Sequence, residues 1–236
     1  MKRGLVAVLA LALVAVLTFA LVARLGSRQQ SVDPALELRN AGTAMAKLKT
    51  VSATLKFTKG AITFQGFTLV GARTSVRLPA DSDTIYTVKQ QDFTISLEVV
   101  ISGGHVYLHI PFSTFQELTG NEAAAIPDLA KLFDPAAGLP AMIPAGRNPK
   151  SAGLDKVGDV DVQKIDATYS GAQVSAMLPQ LSSNVDVNAE LWVGASDHLI
   201  RKAVLDGAFG DAGKEASVEV NISGFNAAVN ITPPSP

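Results

Sequence analysis

The centre of the chain carries an alternation of apolar and polar residues. Between Phe93 and Ser102 the odd-numbered positions are all apolar, and most of the even-numbered positions are polar. A period of two predicts a β-strand with one face on a core and the other in water. Gly103 and Gly104 follow, and two residues that tolerate positive φ favour a tight hairpin turn. The chain then returns as a second alternating strand over residues 105–110.

The same alternation recurs on both sides of this hairpin. Strands that follow one another with short turns pair antiparallel, and glycines inside them indicate bulges or bends. The pattern therefore predicts two β-meanders, which can form two halves of one curved antiparallel sheet. The further strands are expected over residues 51–58, 62–70, 75–78, 84–88, 157–168, 188–193, 199–205, 216–222 and 228–231.

Two main regions have helical patterns. Asp33 and Pro34 form an acidic cap followed by proline, and an apolar stripe at three- and four-residue spacing predicts a helix that ends near Lys49 and packs on the sheet. Residues 112–147 contain four prolines, which divide this apolar region into short helices. Inserts of this length are often lids or binding elements. One more short helix is predicted over residues 173–181.

The N-terminal segment predicts a membrane anchor. Residues 4–23 contain no charge, and Lys2, Arg3 and Arg24 flank them. About 20 apolar residues suit a helix that crosses a membrane, whereas the apolar core of a cleavable signal peptide has about 7–15. We therefore expect residues 1–23 to form an uncleaved signal anchor, with the domain on the extracytoplasmic side of the cell membrane. The alternative is a signal peptide whose cleavage leaves a secreted protein.

Composition narrows the possible functions. After the anchor we predict a linker at 24–32, a folded domain at 33–231 and a disordered proline-rich tail at 232–236. The chain is 47% hydrophobic and 17% charged, and its formal net charge of -1 gives no attraction to nucleic acid. The absence of cysteine from the sequence excludes disulfides, thiol catalysis and thiolate metal sites.

Candidate catalytic groups are few. His105 and His109 lie four residues apart, but on a strand that spacing separates them by about 13 Å, too far to share a metal ion. We expect both to face solvent. The sequence lacks the G-x-S-x-G, P-loop, G-x-G-x-x-G and H-E-x-x-H motifs, so we predict no catalytic residue, metal or cofactor. The enzymatic alternative is a lipid hydrolase whose serine or aspartate is activated by His105, His109 or His198.

The remaining feature is apolar volume. A curved sheet with one apolar face, covered by short helices, encloses either a packed core or a cavity for an apolar ligand. Taken singly, each apolar side chain is better explained by ordinary core packing. The cavity hypothesis assigns the lining to the strands and the helical insert, with these candidate residues: Leu55, Phe57, Phe64, Phe93, Ile95, Leu97, Val99, Phe115, Leu129, Leu132, Phe133, Leu139, Met142 and Ile143.

Several short motifs occur in the order found in a known family. The stretch LWVGASDHLIRKAVL, residues 191–205, and the ending VEVNISGFNAAVNITPP, residues 218–234, resemble segments of the LppX/LprA/LprF/LprG lipoproteins. The short runs VYL at 106–108, LFDP at 132–135 with the following Gly-Leu, and Val-Gly at 157–158 fall in matching order. The similarity covers about residues 33–234, and its specificity comes from the shared order of motifs that are individually weak.

The resemblance implies a strongly curved antiparallel half-barrel, similar to LolA/LolB-type carriers, with helices across its concave face. It also implies a hydrophobic cavity that holds the acyl chains of a lipid or acylated glycolipid and moves them within the bacterial cell envelope. The family usually carries a lipobox cysteine, which this sequence lacks. The expectation is therefore a non-catalytic lipid-binding protein tethered through residues 4–23. The alternative is a non-catalytic envelope scaffold or interaction module with a filled core.

Overall fold

Twelve antiparallel strands build one sheet in the part of the chain that the structure describes. The structure is a computed structural model, and it describes residues 33–64, 66–177 and 183–234. The strands are β1 (Thr50–Lys59), β2 (Ile62–Phe64), β3 (Phe67–Arg77), β4 (Asp81–Gln90), β5 (Phe93–Ser102), β6 (His105–His109), β7 (Gln116–Leu118), β8 (Arg147–Val157), β9 (Val160–Tyr169), β10 (Val187–Gly194), β11 (Ile200–Gly207) and β12 (Ala216–Ser223).

The two predicted meanders are joined at the middle of the sheet. The strand order is β7-β6-β5-β4-β3-β1-β12-β11-β10-β9-β8, and β2 pairs with β3 outside this path. The first strand pairs with the last, with Leu55 of β1 opposite Val220 of β12. One long-range pairing therefore makes a continuous sheet from two local meanders. At the predicted hairpin between β5 and β6, Gly103 and Gly104 both have positive φ, as expected for that turn.

Bulges interrupt the ladders of this curved sheet. The register shifts between Leu69 and Gly71 in β3, and again between Ser151 and Gly153 in β8. Each bulge adds a residue to one strand and bends it. At Gly71 an added Cβ would lie 2.6 Å from the carbonyl oxygen of Leu55, so the close approach of β1 requires glycine at this position. The prediction that glycine inside a strand indicates a bulge is confirmed there.

Short helices lie against one face of the sheet. They are α1 (Pro34–Met45), α2 (Gly120–Ala125), α3 (Leu139–Met142) and α4 (Gly171–Met177), with 3-10 turns at Leu129–Phe133, Ile143–Ala145 and Asp211–Gly213. Helix α1 begins at the proline that the sequence indicated and buries Leu38, Ala41 and Met45, four or three residues apart. Residues 120–145, called the helical cover below, are divided into short helices as their prolines predicted.

The two faces of the sheet differ in chemistry. The face under the helices, called the inner face, carries the apolar members of each alternating strand, such as Val51, Val99 and Leu191, all buried in one core. The outer face is polar and carries ion pairs such as Lys164 with Glu190 at 2.7 Å. The alternation therefore predicted the side of the sheet on which the core lies.

Some predicted elements are corrected by the structure. Residues 116–118 form an edge strand rather than helix, and residues 147–157 form β8, for which no strand was predicted. Both strands lie at the edges of the sheet, and β8 is largely exposed, so neither needs an alternating apolar face. Residues 228–231 form no strand; instead the side chain of Arg77 donates a hydrogen bond of 3.1 Å to the carbonyl oxygen of Ile231. The segments predicted as 62–70 and 75–78 are redistributed into β2 and one long β3.

Other predictions fall outside the described residues. These are the signal anchor at 4–23, the linker at 24–32, the last residues of the helix predicted over 173–181, and the end of the tail at 235–236. Within the described ranges, no helix has the length and apolar character needed to span a membrane.

Candidate functional site

An apolar cavity lies between the sheet and the helical cover. Its volume is about 40 Å³, and among the side chains that line it only Tyr169 carries a polar atom. The cover contributes five side chains, α4 contributes one, and strands β1 and β9–β12 contribute the rest. The lining of this inner cavity is Leu55, Leu132, Phe133, Leu139, Met142, Ile143, Tyr169, Met177, Ala189, Leu191, Ile200, Ala203, Leu205, Val218, Val220 and Ile222.

A second pocket, called the edge pocket below, lies on the inner face of the other half of the sheet. Its volume is about 250 Å³, and Gln116 and Glu122 are exposed where it meets solvent. It lies beside α2, at the edge formed by β6 and β7. Its lining is Phe67, Tyr86, Leu97, Val99, Leu108, Ile110, Gln116, Leu118, Glu122 and Ile126. The inner face therefore presents apolar space in both halves of the sheet.

Two buried tyrosines fasten the helical cover to the sheet. The hydroxyl of Tyr86 on β4 donates a hydrogen bond to the carbonyl oxygen of Pro127. The hydroxyl of Tyr169 on β9 donates one of 3.0 Å to the carbonyl oxygen of Ile143. Burial raises the pKa of both tyrosines, so both hydroxyls keep the proton that they donate. These two hydrogen bonds thus connect the cover to both halves of the sheet.

Aspartates set the local structure of the cover between these contacts. The side chain of Asp128 accepts a hydrogen bond of 3.0 Å from the amide of Ala130 and caps the 3-10 turn at Leu129–Phe133. Asp134 accepts bonds of 2.8 Å from the amides of Ala136 and Ala137. Burial raises the pKa of the Asp128 carboxyl above its ordinary value, although the Ala130 amide and Lys131 act in the opposite direction.

Helix α1 supports the cover from the other side. At Gly42 an added Cβ would lie 2.5 Å from Cγ of Pro144 and 2.7 Å from the carbonyl oxygen of Pro140. The backbone of α1 therefore contacts the segment that begins at α3 without an intervening side chain. Glycine inside a helix is unfavourable by about 1 kcal/mol, and here the close packing explains its presence.

The structure brings together many of the residues predicted to line a cavity. Those in the inner cavity are Leu55, Leu132, Phe133, Leu139, Met142 and Ile143, and those in the edge pocket are Leu97 and Val99. Leu129 is buried in the core, and Phe57 and Ile95 pack against the core without lining either space. Phe64 lies in β2, opposite Phe67 of β3.

Two predicted lining residues lie elsewhere. Phe93 is 72% exposed at the start of β5 and lines neither space. Phe115 stacks on the ring of His109 with 4.9 Å between centroids, and His109 in turn lies 3.4 Å from Glu98 on the outer face. Phe93 belongs to the alternating apolar period of β5, and Phe115 was predicted as part of the helical insert; neither pattern shows where the helical cover lies.

Sequence reasoning did not assign the lining from the second meander. Ala189, Leu191, Ala203, Val218 and Val220 all line the inner cavity. Their alternation predicted strands, and the same signal identifies an apolar face. Which part of that face lies beneath the cover depends on the β1–β12 pairing, which the sequence pattern left open.

The histidines lie away from both apolar spaces. His105 and His109 belong to β6 and each has its own carboxylate partner, Glu117 at 2.7 Å and Glu98 at 3.4 Å. His198, in the turn between β10 and β11, lies 2.7 Å from the buried Glu37 of α1. All three are described, and none lines the inner cavity or the edge pocket. In the described ranges, no three His, Cys, Asp or Glu side chains converge as metal ligands would.

Comparison with known proteins identifies the family. The model of the LppX_LprAFG lipoprotein family matches residues 30–231. The chain belongs to this family. The LppX_LprAFG domain therefore includes both halves of the sheet, the helical cover and both apolar spaces. The resemblance that the short motifs carried is confirmed.

Relatives and solved structures agree with this assignment. The chain is 27% identical over 157 residues to the lipoarabinomannan carrier protein LprG of Mycolicibacterium hassiacum, a match that spans 66% of this chain and 64% of that protein, slightly less than two thirds of its length. The fold is similar to that of LprF from Mycobacterium bovis, with a TM-score of 0.69, 18% identity, and coverage of 86% of this chain and 98% of that one. It is also similar to LppX from Mycobacterium tuberculosis, with a TM-score of 0.61, 18% identity, and coverage of 85% and 100%.

Proposed function

We propose that this LppX_LprAFG protein is a membrane-tethered, extracytoplasmic lipid-binding protein without catalytic activity. In this proposal it holds the acyl chains of a lipid or acylated glycolipid between the sheet and the helical cover, for transfer within the cell envelope. Residues 4–23 would supply the tether, since the sequence has no cysteine to carry an acyl anchor. The name of the LprG relative, a lipoarabinomannan carrier, supports an acylated glycolipid as the ligand class.

One observation carries the proposal. The inner cavity is lined by apolar side chains from both the sheet and a cover of short helices, which two tyrosine hydrogen bonds connect to the sheet. Acyl chains can replace the apolar contacts between these two layers, at the cost of the hydrogen bonds between the two tyrosine hydroxyls and their carbonyl partners. An apolar ligand is therefore the chemical class that this site accepts.

Loading requires the cover to move. A cavity of about 40 Å³ is far smaller than the about 300–1,000 Å³ of typical small-molecule sites. The two tyrosine hydrogen bonds together contribute about 1–3 kcal/mol. Relative to water, each methylene held in the cavity contributes about 0.8 kcal/mol, so the bound state with a few buried methylenes is favoured over exposed acyl chains even after the loss of both bonds. In this mechanism residues 111–144 act as the gate, and the sheet outside β7 remains in place.

The small cavity also favours a second candidate, a non-catalytic scaffold or interaction module with a filled core. In that case the inner face and the cover form an ordinary core. Such a core would equally explain why Leu132 and Phe133 are buried. The two candidates differ in a measurable quantity, the amount of lipid bound per protein molecule.

Native mass spectrometry of the full chain extracted from its own membrane, with organic extraction of any adduct, tests the proposal. A stoichiometric diacyl or triacyl species supports the carrier. A fully folded protein without lipid would establish the scaffold instead.

A pair of variants tests whether lipid loading depends on the gate and the cavity beneath it. Leu132→Asp places a charge in the lining of the inner cavity and should reduce lipid loading, whereas Leu154→Asp makes the same change at a 64% exposed position on β8 and should not. Circular dichroism and thermal unfolding verify that the sheet still folds. Since a buried charge can unfold a domain, Ala203→Leu serves as a second variant, because it fills the cavity with an apolar group. Unchanged loading in a folded Leu132→Asp protein would remove residues 111–144 as the gate, and unchanged loading in Ala203→Leu would remove the inner cavity as the lipid site.

A further inference from the structure

Phe112 is an exposed aromatic residue at the end of the sheet. It lies in the loop between β6 and β7, and its exposure, 108% of the reference value, exceeds that of every other large apolar side chain in the described ranges. Large apolar side chains on a monomer surface are common singly, but a fully exposed phenyl group at a loop tip has no packing role in its own domain. We call residues 110–115 the Phe112 loop.

The loop is built so that it holds this exposed position. The amide of Ser113 donates a hydrogen bond of 3.1 Å to the carbonyl oxygen of Ile110, and the Ser113 hydroxyl donates one of 2.7 Å to the same oxygen. The ring of His109 stacks on Phe115 on the far side of the loop. Phe112 itself has a φ of +69°, which a residue with a bulky side chain rarely adopts. The exposed ring is therefore held by a closed loop with internal hydrogen bonds.

The loop lies at the same end of the sheet as Phe93. Glu98 of β5 is opposite His109 of β6, so the residues after His109 and the residues before Glu98 extend toward one end. Phe93 is 72% exposed there, and Ile110, which is 41% exposed, also lines the edge pocket. Three exposed apolar side chains, one of which lines the edge pocket, thus lie at one end of the sheet.

The chemistry of this end favours a lipid surface as its partner. The Phe112 loop contains no charged residue, and the neighbouring β4–β5 hairpin carries exposed Lys89 and Asp92, whose charges are opposite. A stable protein–protein interface buries about 800 Å² of surface on each partner, and three apolar side chains offer less area than that. A bilayer interface has no such minimum, and aromatic rings are favoured at its headgroup level.

We propose that the Phe112 loop, together with Phe93, inserts into the surface of a lipid bilayer and places the open side of the edge pocket against the membrane. This inference rests on the proposed function, because contact with the membrane at the mouth of an apolar pocket gives acyl chains a path that avoids water. Insertion depends on apolar burial, so vesicles of neutral lipid suffice and added salt has little effect.

The absence of cysteine from the sequence makes a site-specific test possible. Phe112→Cys in the full chain is labelled with an environment-sensitive dye and mixed with phosphatidylcholine vesicles, with or without nitroxide-labelled acyl chains. Leu154→Cys, at an exposed apolar position on β8, is the matched control. The expected result is a blue shift and strong nitroxide quenching at position 112 and neither at position 154. Equal quenching at both positions, or none at 112, would overturn the inference.

A second variant connects the contact to transfer. Phe112→Asp should weaken vesicle association of the loop and slow lipid transfer to vesicles by at least about tenfold, the factor expected when one large apolar side chain is no longer buried. Thermal unfolding should match that of the wild type, since Phe112 is fully exposed and lines neither cavity. Unchanged transfer in this variant would contradict the inference. If the wild-type chain carries no lipid, the proposed function fails, whereas the dye at position 112 still reports whether the loop enters a bilayer.

Discussion

The hydroxyl of Tyr169 donates a hydrogen bond of 3.0 Å to the carbonyl oxygen of Ile143, and so joins the last residue of β9 to the end of the helical cover. Tyr169 is 1% exposed and also lines the inner cavity. The side chain that holds this end of the cover to the sheet therefore also borders the cavity beneath it.

Tyr169→Phe should destabilise the domain by about 0.5–1.5 kcal/mol, the usual net contribution of such a bond. If the cover is the gate, the same variant should exchange bound lipid faster than the wild type, because one of its two tyrosine contacts is lost. Urea unfolding and transfer of a fluorescent lipid measure the two effects. Tyr107→Phe, on the outer face of β6, is the control and should change neither. A variant that is as stable as the wild type and exchanges no faster would show that this bond does not restrain the cover.

Gly42→Ala tests the close contact between α1 and the cover. The new methyl group would meet Pro144 and the carbonyl oxygen of Pro140 at distances that real Cβ atoms do not show. Overpacking of this kind costs about 1–3 kcal/mol, which exceeds the gain of about 1 kcal/mol in helix propensity. The midpoint of urea unfolding should therefore decrease. Thr43→Ala, at the neighbouring exposed helical position, should leave it equal or higher, and a stabilised Gly42→Ala protein would refute the tight contact.

Asp128→Asn should change how stability depends on pH. Burial raises the folded-state pKa of this carboxyl above its ordinary value of 3.8, so the folded protein takes up the proton more readily than the unfolded chain. Below pH 3.8 the Asp128 carboxyl is protonated in both states and does not lower the stability of the folded protein. As the pH rises through the folded pKa, its ionisation destabilises the folded protein. Asparagine keeps an oxygen that can accept the Ala130 hydrogen bond and carries no charge.

We expect the Asn variant to gain stability over the wild type at neutral pH, and the difference to disappear in acid. Urea unfolding across this pH range measures it. The control is Asp159→Asn, the same change in the exposed turn between β8 and β9. An Asn variant that is less stable than the wild type at neutral pH, with a deficit that disappears in acid, would mean that the Asp128 charge is stabilising.

The parts of the fold that follow from local patterns were predicted well. The alternation from Phe93 to Ser102 gave β5 and its inward face, and Asp33-Pro34 gave the start of α1. The edge strands β7 and β8 were not predicted. An edge strand pairs with a neighbour on one side only and can carry polar residues on both faces, so it need not show an alternating pattern. Residues 228–231 were predicted as a strand from their apolar pattern, but they form no strand in the structure.

The site was predictable to the extent that it depends on the same periodicity. Leu132, Phe133 and Leu139 were identified because an apolar segment divided by prolines favours short helices over a sheet, and all three line the inner cavity. Phe93 has an equally regular pattern but is exposed and lines neither the inner cavity nor the edge pocket. The two tyrosine contacts gave no signal, since nothing local distinguishes a tyrosine that reaches a carbonyl in the helical cover.

The sequence alone determined the class of the protein, an antiparallel sheet with one apolar face, an insert of short helices and membership of the LppX_LprAFG family. These properties depend on side-chain alternation and on short motifs, which are local along the chain. Only the tertiary structure decided that β1 pairs with β12, where the cover lies, and how little space remains beneath it. Those features arise from contacts between residues that are far apart in sequence, such as Tyr86 with Pro127, and their geometry is fixed only when both partners have folded.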